Sequence, residues 1–155
     1  IHFADSLKYL TKGGRTVYGG GGIMPDIYIQ TDTSYNTEYL KKINNQGIIY
    51  RFALEYCDMN RKFLSKYTTA QRLRTYLSST TFLSQLVQMA NKNNIVFVKD
   101  EFEKSKTYIE NLTIAYIARI ILNESAYIQI LSSIDPIMQE AIIQSQKSQK
   151  NGKKL

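Results

Sequence analysis

Cysteine and histidine each occur once in the 155 residues, and proline only twice. A single thiol, Cys57, rules out an intramolecular disulfide and any cysteine-built metal site. Its setting, Phe52-Ala53-Leu54-Glu55-Tyr56-Cys57, reads as a small buried hydrophobe rather than a reactive nucleophile. His2 lies at the terminus, so neither a Cys-His catalytic pair nor a histidine metal site has support. No apolar run reaches the roughly 18–20 residues that span a bilayer, and no charged-then-apolar signal segment opens the chain. The carboxylates form no acid–base pair. Asp26 and Asp32 flank one short segment and read as loop and turn residues, not as two groups facing each other across a cleft.

What is present suits a folded domain. Hydrophobic residues make up 43% and charged residues 21%, a balance with which a chain of this length buries roughly 68–70% of its unfolded surface. The net charge of +7 would suggest nucleic acid, but Lys147, Lys150, Lys153 and Lys154 supply four of those charges in a Gln/Ser/Lys/Asn-rich tail. Residues 1–146 then carry +3, and no specific nucleic-acid partner is expected. Twelve tyrosines are the other excess. Tyr39, Tyr50, Tyr56, Tyr67, Tyr76, Tyr108, Tyr116 and Tyr127 recur at spacings that suit half-buried helix faces, with the ring covered and the hydroxyl wet.

The most specific segment is GGRTVYGGGGIMPD, residues 13–26. Gly19 to Gly22 separate Thr16-Val17-Tyr18 from an alternating Ile23-Met24-Pro25-Asp26-Ile27-Tyr28-Ile29 run, and Pro25 fixes φ and withholds an N–H at the mouth of that second strand. A nucleotide-binding loop is disfavoured, because no Gly-Lys-Ser/Thr follows and the next element reads as a strand, not a helix. The segment resembles the GRxxxGxGIxPD stretch of the C-terminal processing peptidases, also called tail-specific proteases. Gly14, Arg15, Gly20, Gly22, Ile23, Pro25 and Asp26 match it, with Met24 where many members have threonine. The strict likeness covers about residues 13–29. A looser one extends to helical segments such as GIIYRFALEYCDMNRKFL and TIAYIARIIL.

The resemblance implies a parent enzyme that cleaves polypeptides near their C-termini, selects substrates through a PDZ domain and cuts them with a serine nucleophile and a lysine base. A lysine can take the serine proton only when burial lowers its pKa inside a preorganised site. In that family the serine and lysine motifs lie upstream of the glycine segment, and only twelve residues precede it here. No S-A-S-E-like segment and no S-x-x-K spacing occurs. The chain is therefore expected to be the non-catalytic C-terminal portion of such a protease, with no cofactor and no metal. Its implied partners are the protease core and PDZ domain of the parent, a second copy or an adaptor protein, and polypeptide substrates through the parent. The implied location is the periplasm or cell envelope, with any membrane attachment on an N-terminal part.

The expected fold class is mainly α. Residues 1–30 form a short β-hairpin-like remnant of the protease core, 31–146 a bundle-like domain of about seven helices, and 147–155 a disordered basic tail. Strands are predicted at 5–10, 15–18 and 26–29, the glycine run joining or bulging between the last two. Helix-period patterns predict 36–45, closed by Gly47 as a left-handed cap, and 48–66, buried through Ile49, Phe52, Ala53, Tyr56, Cys57, Phe63 and Leu64. Outward pairs Arg51–Glu55 and Asp58–Lys62 are expected on this second helix. Thr69 is predicted to cap 70–78, whose inner residues are Leu73, Tyr76 and Leu77. Thr80 or Thr81 should cap a helix running to about 92, buried through Phe82, Leu83, Leu86, Val87 and Ala90. Ile95 to Val98 reads as an extended connector, and Asp100 as the cap of the longest helix, which ends near Asn123. Helices at 124–132 and from Asp135-Pro136 complete the set.

Overall fold

The computed structural model describes residues 7–14, 16–19, 27–30 and 32–152. Two compact units divide the chain, residues 1–30 and 31–155. In the first, β1 (Lys8–Leu10) pairs antiparallel with β2 (Thr16–Tyr18), with Lys8 opposite Tyr18 and Tyr9 opposite Val17. The turn closes where the Gly14 N–H donates to the Thr11 carbonyl at 2.9 Å, and Gly14 holds φ +76°, a left-handed value that a side chain would resist. The Gly19 N–H extends the ladder to the Leu7 carbonyl at 2.8 Å.

This pairing corrects the sequence expectation. The hairpin joins the first two predicted strands through Lys12-Gly13-Gly14, not the last two across the glycine run, and residues 27–30 have no strand pairing. The reason is turn chemistry: a short loop with one left-handed glycine brings its flanking strands together at once; residues 20–26 of the expected second connection lie outside the described residues.

The second unit is helical, with seven helices among the described residues. These are α1 (Glu38–Asn45), α2 (Ile48–Leu64), α3 (Ala70–Ser78), α4 (Phe82–Lys92), α5 (Lys99–Ile121), α6 (Glu124–Ser132) and α7 (Pro136–Gly152). Local signals explain most ends. Thr37 Oγ1 accepts from the Leu40 N–H, Thr69 Oγ1 from Arg72, Asn123 Oδ1 from Ala126 and Asp135 Oδ1 from Ile137. Gly47, at φ +65°, separates α1 from α2, as its expected left-handed role requires. Asn94, left-handed at φ 62°, follows α4 and lets the Ile95 N–H return to the Ala90 carbonyl at 3.0 Å.

Two caps differ from expectation. Thr81 stands at the start of α4 but its hydroxyl makes no capping bond, while the Thr80 hydroxyl donates back to Leu77 at 2.7 Å. Asp100 lies inside the first turn of α5, which begins one residue earlier after Val98. There, with Glu101, it opposes the positive end of the helix dipole instead of capping it.

The centre of the bundle is α5. Five consecutive residues, Asn111 to Ala115, are buried, so this stretch is enclosed on all sides and not amphipathic. Against it pack Ile49, Phe52, Ala53 and Cys57 of α2, with Leu73 and Leu77 of α3, Phe82 and Leu86 of α4, and Ala126 and Ile130 of α6 in the same core. No described side chain of α7 is buried, and its Ile137, Met138, Ile142 and Ile143 stay half-exposed. The helix continues through residues 147–152, where the sequence reading expects a disordered tail. Its Gln-, Ser- and Lys-rich turns lack a Gly or Pro before Gly152 to stop propagation of the helix begun at Pro136.

Candidate functional site

The residues of the glycine motif do not form a described site. Gly14 lies in the hairpin turn, and Arg15, Gly20, Gly22, Ile23, Pro25 and Asp26 fall outside the described residues. Asp32 accepts the Ser34 N–H at 2.8 Å, which holds its carboxyl below the usual range and builds the turn ahead of α1. Cys57 is buried beneath α5, its Sγ 3.9 Å from the Ile117 carbonyl, and desolvation pushes the thiol up to about 12. A thiol at that value supplies no thiolate near neutrality, so it packs and does not react. Among the described residues no group of three or more His, Cys, Asp or Glu could hold a metal ion.

The tyrosines divide into three environments. Tyr39 and Tyr56 are core residues. Tyr35 stacks on Tyr108 at 4.6 Å, Tyr116 touches Tyr50 at 5.2 Å and Tyr127 at 5.5 Å, and the Arg119 guanidinium lies over Tyr127. Burial raises the phenols of Tyr108 and Tyr127. The third set is Phe63, Tyr67 and Tyr76 at the α2–α3 corner, with Tyr67 and Tyr76 stacked at 4.9 Å and Lys66 over Phe63. Phe63, expected in the core stripe, is 39% exposed because this aromatic corner, and not the core, covers it.

Concavity is found between α2 and α4, in an open groove of about 580 Å³. From α2 come Arg51, Glu55 and Met59 over a floor made by Phe52. From α4 come Gln85, Gln88, Met89 and Lys92, and Asn93 closes one end. Arg51 does not form the expected helix pair with Glu55 but donates to Asn93 Oδ1 at 2.7 Å, while Asn93 Nδ2 donates to the Met89 carbonyl. The flexible arginine reaches a fixed acceptor on the next helix, which couples the two walls. Asp58 likewise pairs with Arg61 at 2.9 Å, not with Lys62. Glu55 is the one carboxylate lining the groove, and no nucleophile or second acid faces it. The lining offers amides, two cations and a thioether-rich surface as hydrogen-bonding, charged and apolar groups.

Sequence reading missed this groove, although a signal existed. From Met59 to Lys99 there are seven basic residues and no acid, and the remaining 13 basic residues equal the 13 acidic ones. The charge excess therefore belongs to the stretch from the end of α2 to the first residue of α5, with the tail offset by acids elsewhere. Residues 39–123, from α1 through the cap of α6, match the model of a family of unknown function, DUF8443. No curated protein and no solved structure matches the chain.

Proposed function

The chain belongs to the DUF8443 family, a family of unknown function, and we propose that it is a non-catalytic association domain following the core of a C-terminal processing serine protease. In this reading the helical unit braces the protease body and mediates self-association or adaptor binding, and peptide-bond cleavage belongs to a Ser-Lys dyad outside the chain. The observation that carries it is the sequence GRTVYGGGGIMPD ahead of a separate helical unit. Supporting it, α7 keeps Ile137, Met138, Ile142 and Ile143 accessible while the other helices share a common core. A helix that leaves four large apolar residues half-exposed has surface to give to an association partner.

The resemblance of the glycine segment to the C-terminal processing peptidases, not membership of DUF8443, implies the periplasm or cell envelope as the location. No helix among the described residues is long and apolar enough to cross a membrane. The deciding experiment deletes residues 31–155 from the longer protein. Loss of the oligomer, with residual cleavage of unfolded polypeptide, is expected. An unchanged oligomer together with unchanged cleavage would sink the proposal.

A second reading is an independent helical peptide-binding module, favoured by the groove between α2 and α4. The two separate experimentally. In the second, deleting residues 31–155 would remove peptide binding while leaving the oligomer and cleavage by the longer protein unchanged.

A further inference from the structure

We propose that the groove between α2 and α4 docks an extended, acidic polypeptide segment of a partner protein. The inference stands on the groove itself and does not depend on whether a protease core precedes the chain.

Charge complementarity sets the sign of the ligand. Two cations line the groove, Arg51 from α2 and Lys92 from α4, against one carboxylate, Glu55, and every lining residue from Met59 to Asn93 belongs to a span without acids. Two cations carried on neighbouring helices, Arg51 held in place by Asn93, attract carboxylates and repel a basic chain.

The α4 wall sets the shape of the ligand. Gln85, Gln88 and Lys92 follow one face of the helix, spanning about 10 Å along its axis, which is the length of about three residues of extended chain. Gln85 and Gln88 are exposed, and among the described residues neither side-chain amide has a hydrogen-bond partner. Each offers a donor and an acceptor, the pair that a backbone peptide unit needs. Between the polar walls lie Met59, 73% exposed, and the half-buried Met89. Thioethers adapt to apolar side chains of different shape, so these two methionines tolerate varied sequence between the carboxylates.

The aromatic residues argue against the other polyanions. Single-stranded nucleic acid needs free ring faces to stack on. Here Phe52 is buried under the groove, Tyr67 and Tyr76 stack on each other, and Lys66 covers Phe63. A lipid surface needs a convex apolar wedge beside its cations, whereas these cations line a concavity walled by amides.

Fluorescence anisotropy on the 155-residue chain tests this at about 50 mM salt, where surface charges are not fully screened. The probe is a fluorescein-labelled peptide of about twelve residues built from Glu, Leu and Gly, long enough to cross the groove. Its lysine counterpart, an oligothymidine of similar length and phosphatidylglycerol vesicles serve as comparisons. The acidic peptide should bind and the lysine peptide should not. Arg51→Gln with Lys92→Gln should weaken binding about tenfold. Gln85→Ala with Gln88→Ala, which leaves the charge unchanged, should weaken it several-fold, and Lys147→Gln should have no effect. The proposal is overturned by undetectable binding of the acidic peptide at about millimolar concentration, by binding insensitive to both groove variants, or by oligothymidine or vesicles binding more tightly with sensitivity to those same variants.

Discussion

Removing one oxygen atom from the core should stabilise this protein. Tyr39 is 1% exposed and its ring meets Phe97 and Phe102 edge-on, with centroids 5.9 and 6.1 Å away. Its hydroxyl is buried and has no hydrogen-bond partner among the described residues, although its backbone N–H is held by Glu101 Oε2. An unpaired buried hydroxyl costs about 1–3 kcal/mol relative to water. Tyr39→Phe keeps both aromatic contacts and leaves a void of roughly 10 Å³, worth about 0.2 kcal/mol at ~24 cal/mol per Å³. The net expectation is a gain of about 1–2 kcal/mol, or a Tm higher by roughly 3–8 °C. Tyr56→Phe is the matched control. That hydroxyl interacts with Thr80, and its loss should cost about 0.5–1.5 kcal/mol. Urea unfolding followed by circular dichroism gives both numbers. Burial also raises the Tyr39 phenol above its ordinary 10.0. The folded state then holds its proton more tightly than the unfolded state, so stability from this group is complete below pH ~10 and declines above it. The advantage of Tyr39→Phe should therefore widen in alkali. A loss of more than about 0.5 kcal/mol in Tyr39→Phe at neutral pH would refute the reasoning, because it would mean the hydroxyl has a partner.

Three further outcomes follow from the geometry. Cys57 should resist thiol reagents at pH 8 in the folded chain and react at once in denaturant; because its thiol is pushed to about 12 from 9.0, stability should also fall as pH rises from about 9 to 12. Gly47→Ala should cost about 1 kcal/mol and Gly47→Asn less, both measured by thermal melts: at φ +65° no atom lies within 4 Å of an added Cβ, leaving only backbone strain. Asn123→Ala should destabilise by about 1 kcal/mol through loss of the bond from the Ala126 N–H, whereas Thr81→Ala, with no capping bond to lose, should change chemical-denaturation midpoints little.

The helices were legible because their signals are local. Thr69 precedes Ala70, Asn123 precedes Glu124 and Asp135-Pro136 opens α7 in the sequence as in the fold, and Gly47 divides α1 from α2 at a left-handed turn. Period-3.6 patterns identified Ile49, Phe52, Leu73, Leu77 and Leu86 as core residues, and all are buried. Misreadings came where two local signals competed or where a distant residue decided. Phe63 has the spacing of a core residue, yet Tyr67 and Tyr76 draw it into a surface cluster. Residues 26–29 alternate like a strand, but a nearer turn at Gly14 gave β2 its partner. The groove stayed hidden because attention fell on the lysines of the tail, when the informative pattern was the lack of acids from Met59 to Lys99.

By itself the sequence determined a mainly α chain with one thiol, its helix boundaries, and a division between a glycine-rich leader and a helical body. These depend on capping, periodicity and backbone freedom, which act within a few residues. Only the tertiary structure decided that α5 is enclosed while α7 is not, that Tyr39 buries an unpaired hydroxyl, and that Arg51 reaches Asn93. It also decided that Gln85, Gln88 and Lys92 face Arg51 and Met59 across one groove. The physical reason is that helix formation is written in short-range hydrogen bonds, whereas a shared groove arises from how two helices pack, and packing joins side chains that sequence spacing keeps apart.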